Sequence, residues 1–264
     1  MVAPQDREVA VAARLNNQPK LSIVVPVLNE YPHLPEIMTQ LAELVSQQGI
    51  DVVFVDGGSC DGSAELLQNM NEEFLSFVKS EQGRALQMNA GAEIAKGELL
   101  LFLHADTRLS QANIQDLFHS WHSSEHVWGR FDLAFDLNGL RPGVTRRQTI
   151  SLTTSASLRV IAWFINLRSR LTGIATGDQA IFVNRDVFDK VGCFEKQPLM
   201  EDIELSRQLG AHSKPLCLRS KIITSPRKWQ QEGLVRTVLL MWAIRLKYFL
   251  GVSAEQLVKD YYRK

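Results

Sequence analysis

The 264-residue chain lacks several features that would narrow its function at once. It has three cysteines, Cys60, Cys193 and Cys217, an odd number with no CxxC spacing. That excludes a zinc ribbon and a disulfide framework, and points to reduced thiols in a cytoplasmic setting. Neither sign of charge is in excess, because 29 Lys and Arg offset 29 Asp and Glu. A protein dominated by nucleic-acid contacts is basic, so nucleic acid is not an expected partner. No apolar run approaches the roughly 18 residues that read as a bilayer span. The nearest, VLLMWAI at 238–244, is flanked by Arg236, Arg245 and Lys247. Residues 1–20 lack the apolar core of a signal peptide and read as a flexible leader. Neither GxGxxG after the first apolar run nor a Walker A loop is found, so neither a Rossmann dinucleotide site nor a P-loop is expected.

What is present is the composition of an ordinary globular protein, 45% hydrophobic and 22% charged. LSIVVPV (21–27), DVVFVD (51–56), FLSFV (74–78) and ELLLFL (98–103) read as strands. Between them lie helical patterns near 34–45, 64–70 and 83–97. This alternation predicts an α/β fold with a doubly wound, mainly parallel central sheet and helices on both faces. After about residue 108 the pattern changes. A helix near 113–121 precedes WGRFDLAFDL (128–137), whose alternation reads as an antiparallel or edge strand. A long helix over 149–171, strands at 179–184 and 220–224, a short helix at 201–210 and a helical remainder follow. The expected organisation is one domain over 21–230 with halves at 21–107 and 108–230, then C-terminal helices over 231–264.

In open parallel sheets ligands bind beyond the carboxyl ends of the strands. There the sequence places Asn29 and Glu30, then Asp56 with Gly57 and Gly58, then His104 and Asp106. Each has a local explanation: a helix cap at Asn29-Glu30, a tight turn at Asp56, an N-cap at Asp106. Acidic groups from three separate strands argue instead for a shared ligand. With no glycine in the first turn, VLNEYPH, phosphates need another partner, and Mg²⁺ or Mn²⁺ on carboxylate oxygen is the natural one.

IVVPVLNE, VVFVDGGSCDGS, GRALQMNAG, LLFLHADT and EDIELSRQL occur in this order, and the set resembles family-2 glycosyltransferases of the GT-A fold over about residues 21–225. GRALQMNAG, FLHADT and TSPRKW together look most like the subgroup called radical-SAM/selenodomain-associated transferase 2. The resemblance implies a nucleotide-binding first half and an acceptor-side second half with a smaller antiparallel element. It implies a nucleoside pocket along Pro26, Leu28, Glu30 and Gly58, with Glu30 near the ribose and Asp56 accepting from the base, which suits uracil. Arg84 would contact base or diphosphate, and Asp106 would bind the metal. Glu201-Asp202 match the family's ED pair, with Asp202 as the base that deprotonates the acceptor in an inverting transfer. The pair also has a local explanation, since acidic residues favour the first turn of a helix. Gly177, Asp178 and Gln179 fall where relatives form the acceptor side.

Two departures stand out. His104 replaces the first aspartate of the family's DxD, so it touches metal, nucleotide or neither. Arg227, Lys228 and Trp229 stand where relatives supply a histidine to the metal. Arg227 is then a partner for the diphosphate or for an anionic acceptor, or part of a surface basic pair beside a packed Trp229. The remaining histidines, His33, His119, His122, His126 and His212, read as surface or loop residues. The expected partners are a nucleotide-sugar donor and an unidentified acceptor, lipid-linked if the basic, aromatic helix at 234–250 docks peripherally on a membrane from the cytoplasmic side. That helix could instead serve as core or as a homodimer contact. A nucleotidyltransferase and a non-catalytic nucleotide-sugar-binding protein are the rival readings. The first usually carries a glycine-rich basic loop after strand one, which VLNEYPH is not.

Overall fold

A computed structural model describes residues 21–45, 49–70, 75–137 and 152–261. The order of elements is β1 (Leu21–Val27), α1 (Leu34–Val45), β2 (Ile50–Asp56), α2 (Ser63–Gln68), β3 (Leu75–Lys79), α3 (Arg84–Ile94), β4 (Leu99–Phe102) and β5 (Thr107–Arg108). Then come α4 (Gln111–His122), β6 (Trp128–Phe135), α5 (Leu152–Thr172), a 3₁₀ turn (Gly177–Gln179), β7 (Phe182–Asn184), α6 (Arg185–Lys190) and α7 (Glu201–Gly210). The chain continues through β8 (Leu216–Thr224), α8 (Arg227–Glu232), α9 (Leu234–Phe249) and α10 (Ala254–Tyr261). Residues 1–20, Phe74 and 149–151, which carry parts of the expected leader, third strand and long helix, lie outside the described residues.

One sheet runs in the order β3-β2-β1-β4-β7-β6-β8-β5. Its first four strands pair in parallel, with Val24 opposite both Val53 and Phe102. The strands are apolar without alternation because both faces are covered. Ile23, Val25, Val27, Val52 and Phe54 join one core with Leu34, Ile37 and Leu41 of α1. Val24, Val53, Val55 and Phe102 join a second core with Ala85 and Met88 of α3. Gly91 allows α3 its close approach: a Cβ there would lie 2.4 Å from Val24 Cγ1.

The reversed strands are β7, antiparallel to β4 and β6, and β5, antiparallel to β8. The strand expected at 128–137 is antiparallel to β7 but is not at an edge, since β8 pairs parallel on its other side. Its charged residues misled the reading of its faces. Arg130 is fully buried and ion-paired with Asp132, which also receives Arg170 at 2.7 Å. Paired in this way, charged side chains can face a core instead of solvent.

Candidate active site

Two turns at the carboxyl edge are stitched together by short polar side chains. Asn29, at a left-handed φ of 55°, accepts from the Cys60 amide at 2.9 Å, and its own amide donates to Ser59 Oγ at 2.8 Å. The Glu30 amide donates to Ser63 Oγ, and the Tyr31 amide to Asp61. Sequence reading missed Ser59, Asp61 and Ser63, although Asn, Asp and Ser in two adjacent turns were the available signal. Asp56 is buried at the end of β2 and accepts from the amides of Gly58, at 3.0 Å, and Ser59. Each carboxylate oxygen has two lone-pair sites, so acceptor capacity remains. Gly58 sits at a φ of +90° with nothing near its missing Cβ. Gln87 props both turns from beneath, donating to the carbonyls of Val27 and Val55. Pro26 lies beyond the last β1–β4 pair, Val24 with Phe102, where its missing N–H costs no ladder bond. Leu28, half-buried, follows in the same turn.

β4 then delivers its two polar residues in different directions. In a continued strand, positions 104 and 106 would share a face. Here the Thr107 amide donates to the His104 carbonyl at 3.0 Å, and the turn separates them. Asp106 is not a helix cap. Ser110 caps α4, in a reciprocal box with Asn113.

Asp106 joins a cluster with Glu30, Arg227 and His33. Arg227 grips Glu30 with two nitrogens, at 2.8 and 3.3 Å, and lies 3.8 Å from Asp106 Oδ2. His33 Nε2 is 3.2 Å from Arg227 Nη1, so His33 belongs to this cluster and is not the detached loop residue expected. Burial first, then the Glu30 charge, raise the Asp106 pKa, while Arg227 opposes them. Two carboxylates thus share one guanidinium, an arrangement that accepts further positive charge. Among the described residues no three His, Cys, Asp or Glu side chains gather as a metal cage. A hard cation bound through one carboxylate and donor phosphates needs no cage, so Asp106 fits as its single protein ligand. Trp229, two positions after Arg227 and half-buried, packs edge-on against Phe135.

The second cluster lies at the starts of α3 and α7. A small cavity is lined by Arg84, Met88, Phe102, His104, Gly177, Ile181, Phe194, Glu201 and Asp202. The half-buried Asp202 accepts from the Gly177 amide and from the Ile203 amide, each at 2.8 Å. Glu201 is buried, 3.7 Å from the half-exposed Arg84. Burial and then the Asp202 charge raise its pKa to about 7, against the pull of Arg84. His104 turns toward Gly177, where an added Cβ would lie 2.7 Å from its Nε2. That nitrogen is buried without a hydrogen-bond partner among the described residues. Burial, with Arg84 adding to it, holds the His104 pKa well below its ordinary value, so the ring is neutral at pH 7. His104 therefore sits beside Asp202 and Glu201 and away from the Asp106–Arg227 pair.

Of the residues around Asp202, Gln179 is fully buried and spent on Thr176 and Asn166. Asp178 has one oxygen buried without a partner among the described residues, and burial raises its pKa, with Asp202 adding to the rise. Arg168 completes the surroundings and was not anticipated. Burial and Arg245 press its pKa down to about 10, with Asp178 and Asp202 opposing. Its place on a long helix distant in sequence from the ED pair gave no signal.

The chain has similarity to known proteins at three levels. A model of "Glycosyl transferase family 2" matches residues 22–192. An undecaprenyl-phosphate 4-deoxy-4-formamido-L-arabinose transferase of Salmonella paratyphi B is 28% identical over 166 residues, 60% of this chain and 46% of that protein. TarS of S. aureus, in a structure described with UDP-GlcNAc, superposes with a TM-score of 0.57 at 17% identity, over 78% of this chain and 58% of that one. A mannosyltransferase of Pyrobaculum calidifontis, described in complex with GDP-Man and Mn²⁺, gives 0.57 at 17% identity, over 87% and 65%. The chain spans about half, or less, of the curated relatives it matches. These structural likenesses show the GT-A fold. The similarities reach the family and stop short of the narrower radical-SAM-associated subgroup. With the family's model covering well over half of its length, the chain belongs to glycosyl transferase family 2.

Proposed function

We propose that the protein moves a sugar from a UDP-linked donor to a hydroxyl acceptor, inverting the anomeric centre. Asp202 carries this reading: a carboxylate fixed by the Gly177 amide on the wall of a cavity shared with His104, Glu201 and Arg84. It takes the hydroxyl proton as the acceptor oxygen bonds to the anomeric carbon. The bond from that carbon to the diphosphate breaks, and its electron pair leaves with the nucleoside diphosphate. A single displacement inverts the configuration.

The donor half follows the turns. Asp56 accepts the imide N–H of uracil, the backbone at Gly58 passes close to the base, and Pro26 and Leu28 flank the nucleoside. Glu30, aligned by Arg227, lies by the ribose. Arg227 and Arg84 stabilise the charge that develops on the departing diphosphate. Asp106 would hold Mn²⁺ or Mg²⁺, which when bound neutralises diphosphate charge. The neighbour described with UDP-GlcNAc supports a UDP donor, and the one described with GDP-Man and Mn²⁺ supports a metal. The relative named for undecaprenyl phosphate supports a lipid-linked acceptor.

Asp202→Asn tests the base. Transfer should fall by about 10²–10⁴-fold, while UDP-sugar affinity measured by calorimetry stays as in wild type. Transfer at the wild-type rate overturns the assignment.

A further inference from the structure

The exposed apolar surface of the protein is concentrated on two helices. Among the described residues, nine of the thirteen large exposed hydrophobics lie on α5 and α9, Trp163 and Phe164 included. On α9 they form a stripe, Val235, Leu239, Trp242, Leu246 and Phe249, each 61–74% exposed. The steps of four, three, four and three residues keep them on one face. The opposite face of α9 is already used: Leu240, Ile244 and Tyr248 pack against Met200 and Ile203 of the Asp202 helix. The stripe is therefore not a misplaced core face. It is a second apolar face on a helix already anchored to the active site.

The charges on the same helices are one-sided. α5 carries Arg159, Arg168 and Arg170, and α9 carries Arg236, Arg245 and Lys247; neither contains an Asp or Glu. This holds in a chain whose totals balance at 29 each. Arg168 and Arg245 repel each other, and both are drawn to Asp178. Part of the charge is engaged, Arg170 with Asp132 and Lys247 with Asp260. Arg159 and Arg236 make no ion pair among the described residues.

We propose that the α5–α9 face docks on an anionic lipid surface, with the α9 stripe entering the boundary between headgroups and acyl chains. Apolar side chains with tryptophan on one face, and the cations Arg159 and Arg236 left without an acidic partner among the described residues, suit such a boundary. A second copy of the chain suits it less, because a two-fold contact would set this cationic face against itself. No helix among the described residues is long and apolar enough to cross the membrane, so the contact is with its surface. The docking needs no assumption about the transfer chemistry, since binding is read without turnover.

The test is co-sedimentation of the full chain with vesicles of phosphatidylcholine alone and of phosphatidylcholine with phosphatidylglycerol. Binding to the anionic vesicles should exceed binding to the neutral ones and weaken with salt. Trp242→Ser with Leu246→Ser should reduce it at least tenfold with an unchanged melting temperature, since both residues are exposed. Arg236→Gln and Arg159→Gln should each weaken it about fivefold. Absence of vesicle binding, equal binding to both vesicle types, or full binding by the double serine variant overturns the proposal. So does a wild-type dimer in light scattering that the double serine variant converts to monomer, because a second copy would then cover the stripe.

Discussion

Glu201 holds a proton that an exposed glutamate would release, and Glu201→Gln removes its ability to ionise at almost constant shape. Burial and the neighbouring Asp202 raise its pKa from 4.5 to about 7. Between those two values the folded protein binds more protons than the unfolded chain, so stability falls as pH rises through that window. Below the window the contribution is fully favourable, and above it the loss is complete. The interval corresponds to about 3 kcal/mol, a large share of the roughly 5–15 kcal/mol typical of a whole domain. Glutamine cannot ionise, so the variant escapes this loss. Urea unfolding, extrapolated linearly at a series of pH values, measures the difference. Wild type and variant should nearly coincide at pH 4, and the variant should be more stable by about 3 kcal/mol at pH 8. Arg84 favours the charged form from 3.7 Å, so Arg84→Ala should deepen the wild-type loss and shift its end to higher pH. A difference between Glu201→Gln and wild type that stays flat from pH 4 to 8 would refute the reasoning, for it would mean that Glu201 ionises in the pocket without penalty.

Three further perturbations separate the parts of the site. Gly177→Ala places a methyl 2.7 Å from His104 Nε2 and 3.1 Å from its Cε1. Because the ring is enclosed, thermal melting should show a loss of about 1–3 kcal/mol, with impaired transfer; a variant as stable as wild type would mean the ring has room to move. Asp132→Ala strands the fully buried Arg130 and removes the partner of Arg170, so urea unfolding should show a loss of about 3–5 kcal/mol. A loss typical of an exposed pair would contradict the burial. Arg227→Ala releases Glu30 and Asp106 from their shared cation and should make UDP affinity depend more steeply on Mn²⁺ in calorimetry. An unchanged ratio of affinities with and without metal would exclude Arg227 from the diphosphate site.

The parallel half of the fold was legible because its signal is local. β1, β2 and β4 are apolar runs bounded by turn residues, and the structure begins and ends them within about two residues of the sequence reading. The second half was less legible because its pairing is set by distant partners. Arg130 and Asp132 gave β6 the pattern of a half-solvated edge, and only the arrival of Asn166 and Arg170 from α5 makes them an interior pair. The same limit applies to the site. Asp56 and Asp106 could be named as candidates from their places at strand ends, and Asp202 from the resemblance of Glu201-Asp202 to the family's ED pair. His33 could not, because what gives it a role is Arg227, 194 positions along the chain.

At position 104, where the resemblance implies the first DxD carboxylate, a histidine keeps negative charge out of an acidic pocket. Position 104 points at Gly177, whose amide is bonded to Asp202, and the same small cavity is walled by Glu201. Asp178 lies close enough for Asp202 to raise its pKa. An aspartate at 104 would add a fourth carboxylate to this enclosed group, two of whose members already have raised pKa values. Each further negative charge there would favour protonation of Glu201 and Asp178. A neutral imidazole avoids that effect and keeps a polar atom, Nε2, in the pocket. The cation near Asp106 is Arg227, which reaches Glu30 and Asp106 from beyond β8. In this chain His104 and Asp106 have divided: one lies in the pocket of Asp202 and Glu201, and the other in the cluster of Glu30 and Arg227.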